Sequence, residues 1–92
     1  MKKNNNINWV WVFVKEGQEK DNFLGQYSKK LNTSFIPCYN SKEEALKCYH
    51  LLIKEDNVKY DVQAIERDFL KELMNKKDFI ILVLDEKGKI IS

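Results

Sequence analysis

The segment Ile7-Asn8-Trp9-Val10-Trp11-Val12-Phe13-Val14 limits the folds open to this chain more than any other. Its residues are β-branched and aromatic, and both alternating faces are apolar, a pattern that belongs in the interior of a sheet. We read a central strand. One face presents Trp9, Trp11 and Phe13; the other presents Val10, Val12 and Val14.

The segments downstream supply the rest of a small sheet and two helices. Residues 15–33 are mostly polar, with Phe23, Leu24, Tyr27 and Leu31 at near-helical spacing and Gly25 opposing a helix, so a long loop with an anchored turn is expected. Ser34-Phe35-Ile36-Pro37-Cys38-Tyr39 has strand composition but holds the only proline, which cannot donate to a ladder; an edge or strand-end position follows. Ser41-Lys42-Glu43-Glu44 is a capping box, in which the serine hydroxyl accepts from the Glu44 amide and Glu44 reaches back to the Ser41 amide. A helix starts there. Its expected apolar stripe is Ala45, Leu46, Cys48, Tyr49, Leu52 and Ile53, fading near Glu55-Asp56-Asn57.

Residues 58–65 alternate Tyr60, Val62 and Ala64 against Lys59, Asp61 and Gln63, a strand with one wet face. Phe69, Leu70, Leu73 and Met74 form a narrow stripe between Glu66 and Lys77, with acids near the start and lysines near the end, as the helix dipole prefers. Phe79-Ile80-Ile81-Leu82-Val83-Leu84 reads as a buried strand, and Asp85-Glu86-Lys87-Gly88 as a tight turn into Lys89-Ile90-Ile91 with Gly88 left-handed. The order is β-β-α-β-α-β-β. We expect an α+β domain, a two-layer sandwich with both helices on one face of a mixed sheet. At 92 residues the chain is one domain, 1–92, with 1–6 as a disordered tail.

Three of these segments resemble a known family. Val10-Trp11-Val12-Phe13-Val14 followed by Asp21-Asn22, the Ser41-Lys42-Glu43-Glu44-Ala45 helix ending in Leu51-Leu52, and Val62-Gln63-Ala64-Ile65-Glu66-Arg67 leading into a helix are similar to an uncharacterised family of short α+β domains, a domain of unknown function found mainly in photosynthetic organisms. The resemblance spans about Trp9 to Leu84. Its motifs are structural. Where those domains carry Glu-Gly-Ile-His in the first loop, this chain has Phe23-Leu24-Gly25-Gln26-Tyr27 and no histidine. The resemblance implies a fold and no activity.

Composition narrows the chemistry. Fifteen of the sixteen basic residues are Lys, Arg67 being the sole arginine, and the net charge is +2. Arginine is the residue for bidentate guanine contacts and stacking, and no basic stripe is present, so a nucleic-acid partner is not expected. The basic start Met1-Lys2-Lys3 is followed by only six apolar residues, Trp9 to Val14, short of the roughly 7 to 15 of a secretory signal and of the ~20 of a membrane span. The expectation is a cytoplasmic protein without a membrane partner.

Cys38 and Cys48 then read as reduced, partly buried thiols. His50 is the only imidazole and lies at the margin of its stripe; two positions from Cys48 on a helix, it does not face it. Two cysteines ten apart and one histidine make no metal set. Glu43-Glu44 and Asp85-Glu86 occupy a helix start and a turn, where acids serve capping and solvation. We expect no enzyme, no catalytic residue, no metal and no cofactor.

The aromatic face remains. If the valines pack beneath the helices, Trp9, Trp11 and Phe13 lie uncovered with Tyr60 nearby, and three such rings exceed what a monomer leaves bare. The competing reading buries that face under the helices or under Phe23 and Tyr27. The expected function is a small non-catalytic binding or protein-interaction module, self-associating as a homodimer or joining another protein through the aromatic sheet face or the Pro37 edge strand. The alternative is a single-stranded nucleic-acid binder that uses Trp9, Trp11, Phe13 and Tyr60 as a stacking platform.

Overall fold

A computed structural model describes residues 8–17 and 22–91. The tail expected over 1–6 and the strand start at Ile7 lie outside them. The elements are β1 (Trp9–Lys15), β2 (Gln26–Ser28), β3 (Thr33–Tyr39), α1 (Lys42–Cys48), a 3₁₀ turn (Tyr49–Leu51), β4 (Tyr60–Glu66), α2 (Arg67–Asn75) and β5 (Phe79–Leu84). The protein is an α+β domain, built on a five-stranded mixed sheet that does not close into a barrel.

β1 is central, as its two apolar faces require. It pairs antiparallel with β4 over its whole length, from Trp9 opposite Glu66 to Lys15 opposite Tyr60, and with β3 at Trp11 opposite Tyr39. β5 pairs parallel with β3 from Ser34–Phe79 to Tyr39–Leu84, so β2, which pairs Gln26–Ser28 with Phe35–Thr33, shares the other edge of β3 with β1. The strand of Pro37 is therefore interior, not an edge. Proline is tolerated there because, on the β2 and β1 side, the ladder is interrupted between Phe35 and Tyr39; a residue without an N–H does least harm at such a break.

The helices lie on opposite faces, which corrects the two-layer expectation. Val10, Val12, Val14, Ile36, Cys38 and Val83 form one core with Leu70 and Met74 of α2. Phe13, Tyr39 and Leu84 form a second core with Ala45 and Cys48 of α1 and with Leu24. Connectivity explains the split. β3, β4 and β5 all point one way, since β3 and β4 are both antiparallel to β1 and β5 is parallel to β3. The connection through α1 travels from β3 across β1 to β4, and the one through α2 travels back across β1 and β3 to β5. A right-handed crossover fixes its helix face by the direction of travel, so a reversal of travel moves the helix to the other side.

Local signals account for the helix ends. The Ser41 hydroxyl accepts from the Glu44 amide at 3.1 Å and donates to the Glu44 carboxylate at 3.1 Å, so Glu44 meets the hydroxyl rather than the Ser41 amide. α1 tightens into the 3₁₀ turn after Cys48; Ala45, Cys48, Tyr49 and Leu52 pack inward as projected, while Ile53 beyond the turn is 83% exposed and Leu46, within α1 itself, is exposed against the expected stripe. The Gln26 side chain clamps the exit of this turn, donating to the Ile53 carbonyl at 2.8 Å and accepting from its amide at 2.9 Å.

Two further expectations are revised. Residues 22–33 are not loop alone, because Phe23 bridges Val14 and β2 joins the sheet. β5 is an edge strand with Ile80 exposed, and Lys89-Ile90-Ile91 forms a single bridge, Ile90 to Leu84, rather than a strand. Gly88 does take the left-handed conformation, at φ +83°.

Candidate binding surface

The four aromatic residues singled out by the sequence do not form one open platform. Phe13 is 2% exposed, edge-on to Tyr39 with ring centroids 6.2 Å apart and tilted against Tyr49 at 4.9 Å. Tyr60, opposite Lys15, and Trp11, opposite Ala64, are half-buried against the same core. Trp9, opposite Glu66, is 55% exposed. Cover thus increases along β1, because the 3₁₀ turn and Leu52 sit over the Phe13 end. Burial of Phe13 removes it from any stacking surface.

The chemistry-bearing groups are mostly structural. Cys38 and Cys48 are free and fully buried. Burial pushes the Cys38 thiol up to about 12, against the opposing charge of Arg67. Cys48 is also raised by burial, and its sulfur reaches the carbonyls of Asp85 at 3.2 Å and Glu86 at 3.1 Å. The Tyr39 hydroxyl, buried and raised in pKa chiefly by that burial, has no oxygen or nitrogen partner; its polar neighbour is the Cys48 sulfur, a weak acceptor. His50 is exposed on the 3₁₀ turn. Asp85 accepts the amides of Lys87 and Lys89, each at 2.9 Å, which lowers its pKa, the Lys89 bond most. Glu86 is lowered by its bond to Lys47 at 2.8 Å, an exposed pair of the kind that adds little stability. Among the described residues no group of three His, Cys, Asp or Glu converges to hold a metal. No helix among them is long and apolar enough to cross a membrane.

The surface that stands out is the outer side of β4. Among the described residues this seven-residue strand pairs only with β1, leaving its outward-pointing N–H and C=O groups without a strand partner on the far edge. The strand contains neither Pro nor Lys, and its register with β1 runs without a bulge, so it lacks those common devices that blunt a sheet edge. Beside it, on the α2 face, a cavity of about 220 Å³ opens between Phe23, Phe69 and Leu73, floored by Val12, Val14 and Ile65 with Gln63 at its polar rim. It exists because α2 extends over β5 and covers β4 only in part, which also leaves Asp61, Gln63 and Phe69 in water.

Sequence reasoning placed Phe69 and Leu73 in a helix stripe but missed the groove. The signal was present in the wet residues Asp61 and Gln63, whose alternation marks a strand the neighbouring helix does not cover. No protein-family model, curated protein or solved structure matches the chain.

Proposed function

We propose that the protein is a small non-catalytic interaction module that self-associates by pairing the free edge of β4 with β4 of a second copy. The observation that carries this reading is a seven-residue edge, without proline, lysine or bulge, beside an apolar groove. Strand addition draws its affinity from main-chain hydrogen bonds and its specificity from pockets that take alternate side chains. A two-fold antiparallel pairing centred on Gln63 sets Tyr60 against Glu66 of the second copy, Asp61 against Ile65 and Val62 against Ala64. No carboxylate meets a carboxylate in that register, and like charges directly opposite one another would be destabilising.

The test is size-exclusion chromatography with light scattering on the wild-type protein and on Ala64→Lys. Ala64 is exposed on the edge strand, so the lysine perturbs the edge and not the core. The wild type is expected to elute as a concentration-dependent dimer and the variant as a monomer with an unchanged fold. A wild-type monomer at all concentrations, or a variant that dimerises as well as the wild type, would overturn the proposal.

A further inference from the structure

The pairing proposed for β4 leaves the groove beside that strand unfilled. A second copy's strand lies beyond the outer edge of β4, whereas the groove is floored by Val12 and Val14 of β1, one strand further in. The ladder fixes which face this is. Val10, Val12 and Val14 stand opposite Ile65, Gln63 and Asp61 and share the α2 side of the sheet with them, while Trp11 and Ala64, opposite each other, share the α1 side. The groove is therefore complete within one copy.

Packing holds its walls. Val12 and Val14 are almost fully buried, and Phe23, Ile65 and Leu73 pack against the same core, so five of the lining side chains are set by the fold itself. Phe23 keeps its place through the bridge to Val14. Phe69, one position before the buried Leu70 on α2, lines the groove and is 53% exposed. The volume is about 220 Å³. An apolar cavity of about 150 Å³ already takes up benzene, so this one has room for one ring or two fused rings.

The lining also selects charge. No charged residue is among the described ones that line the groove, and Asp61 stands on the same face beside it. A charged ligand would lose hydration there without meeting a counter-charge, and an anion would meet Asp61 as well. Two phenyl rings among the walls favour a flat aromatic partner, which gains ring contacts beyond the burial of its area.

We infer that the groove binds a small uncharged aromatic molecule of one or two rings, seated on Val12 and Val14 between Phe23, Phe69 and Leu73. Binding draws on burial of the ligand's apolar surface and needs no partner copy.

Methyl ¹³C NMR titrations of the full chain test this, with indole and phenol as probes, benzoate as a charged counterpart and cyclohexanol as an aliphatic one. The expected result is saturable shifts at the methyls of Val12, Val14, Ile65 and Leu73 with both aromatic probes, tighter with indole, while the methyls of Ile53 and Ile90, outside the groove, stay unmoved. Relative to phenol, benzoate is expected to bind at least about tenfold more weakly and cyclohexanol at least about threefold. Phe69→Ala, at an exposed position that spares the core, is expected to weaken indole binding by about tenfold. Ala64→Lys, whose side chain falls on the α1 side, is expected to bind indole as the wild type does. A wild type that binds indole yet stays a monomer upholds this inference and overturns only the proposed dimer. No saturable shift at those methyls with indole, benzoate or cyclohexanol binding as tightly as phenol, unchanged affinity in Phe69→Ala, or loss of binding in Ala64→Lys would overturn the inference.

Discussion

Tyr39 joins the two sides of its strand's chemistry: its ring packs edge-on against Phe13, while its hydroxyl sits in the core with only a sulfur beside it. A buried hydroxyl without a good acceptor forfeits its hydration, so removing it with the ring kept in place costs little. Tyr39→Phe is expected to leave stability unchanged or raise it by up to about 1 kcal/mol, read from urea denaturation. A loss of about 2 kcal/mol or more would show instead that the contact with Cys48 is a strong bond. Much at this scale was legible in the sequence. Cys38 and Cys48 are free thiols, as expected, though fully rather than partly buried, and His50 is exposed on the 3₁₀ turn. The special status of the Tyr39 hydroxyl was not, because it arises from an approach between β3 and α1 that no local pattern encodes.

At the level of elements, strong local signals were read correctly and short or long-range ones were not. Ser41 caps α1, β1 is central, and Gly88 turns the chain after β5, each from chemistry carried within a few residues. β2 was missed because three residues, Gln26–Ser28, hold their place through β3 and not through any alternation of their own. In the sequence Gly25 opposes a helix, but its role in the fold is spatial: a Cβ there would lie 2.8 Å from the Phe79 ring.

The turn after β5 supplies a pH test. Asp85 has its pKa lowered in the fold by the amides of Lys89 and Lys87, so its contribution is present above the unfolded value of about 3.9 and is lost as pH falls through the lower folded value. Carboxyl ¹³C shifts are expected to give Asp85 a midpoint below ~3.9, with the Lys87 and Lys89 amide signals moving at the same midpoint. A midpoint at or above that value, with unmoved amides, would contradict this.

For the whole molecule, the α+β class and the mixed sheet followed from the order of apolar runs, but the arrangement of layers did not. The strands alone leave open which way each connection travels; only the pairing of β1 with both β3 and β4, together with that of β5 with β3, reveals that the two crossovers run in opposite directions. That one fact covers both faces of β1, buries Phe13, places Pro37 inside the sheet and leaves β4 as an uncovered edge.

The central claim is that this edge is the interaction surface. Amide hydrogen exchange on the wild-type protein at low and high concentration tests it most directly. The amides of β4 that point away from β1 are expected to gain protection as concentration rises, while the outward amides of β5 do not. Exchange at the outward β4 amides that is fast and independent of concentration would contradict the account.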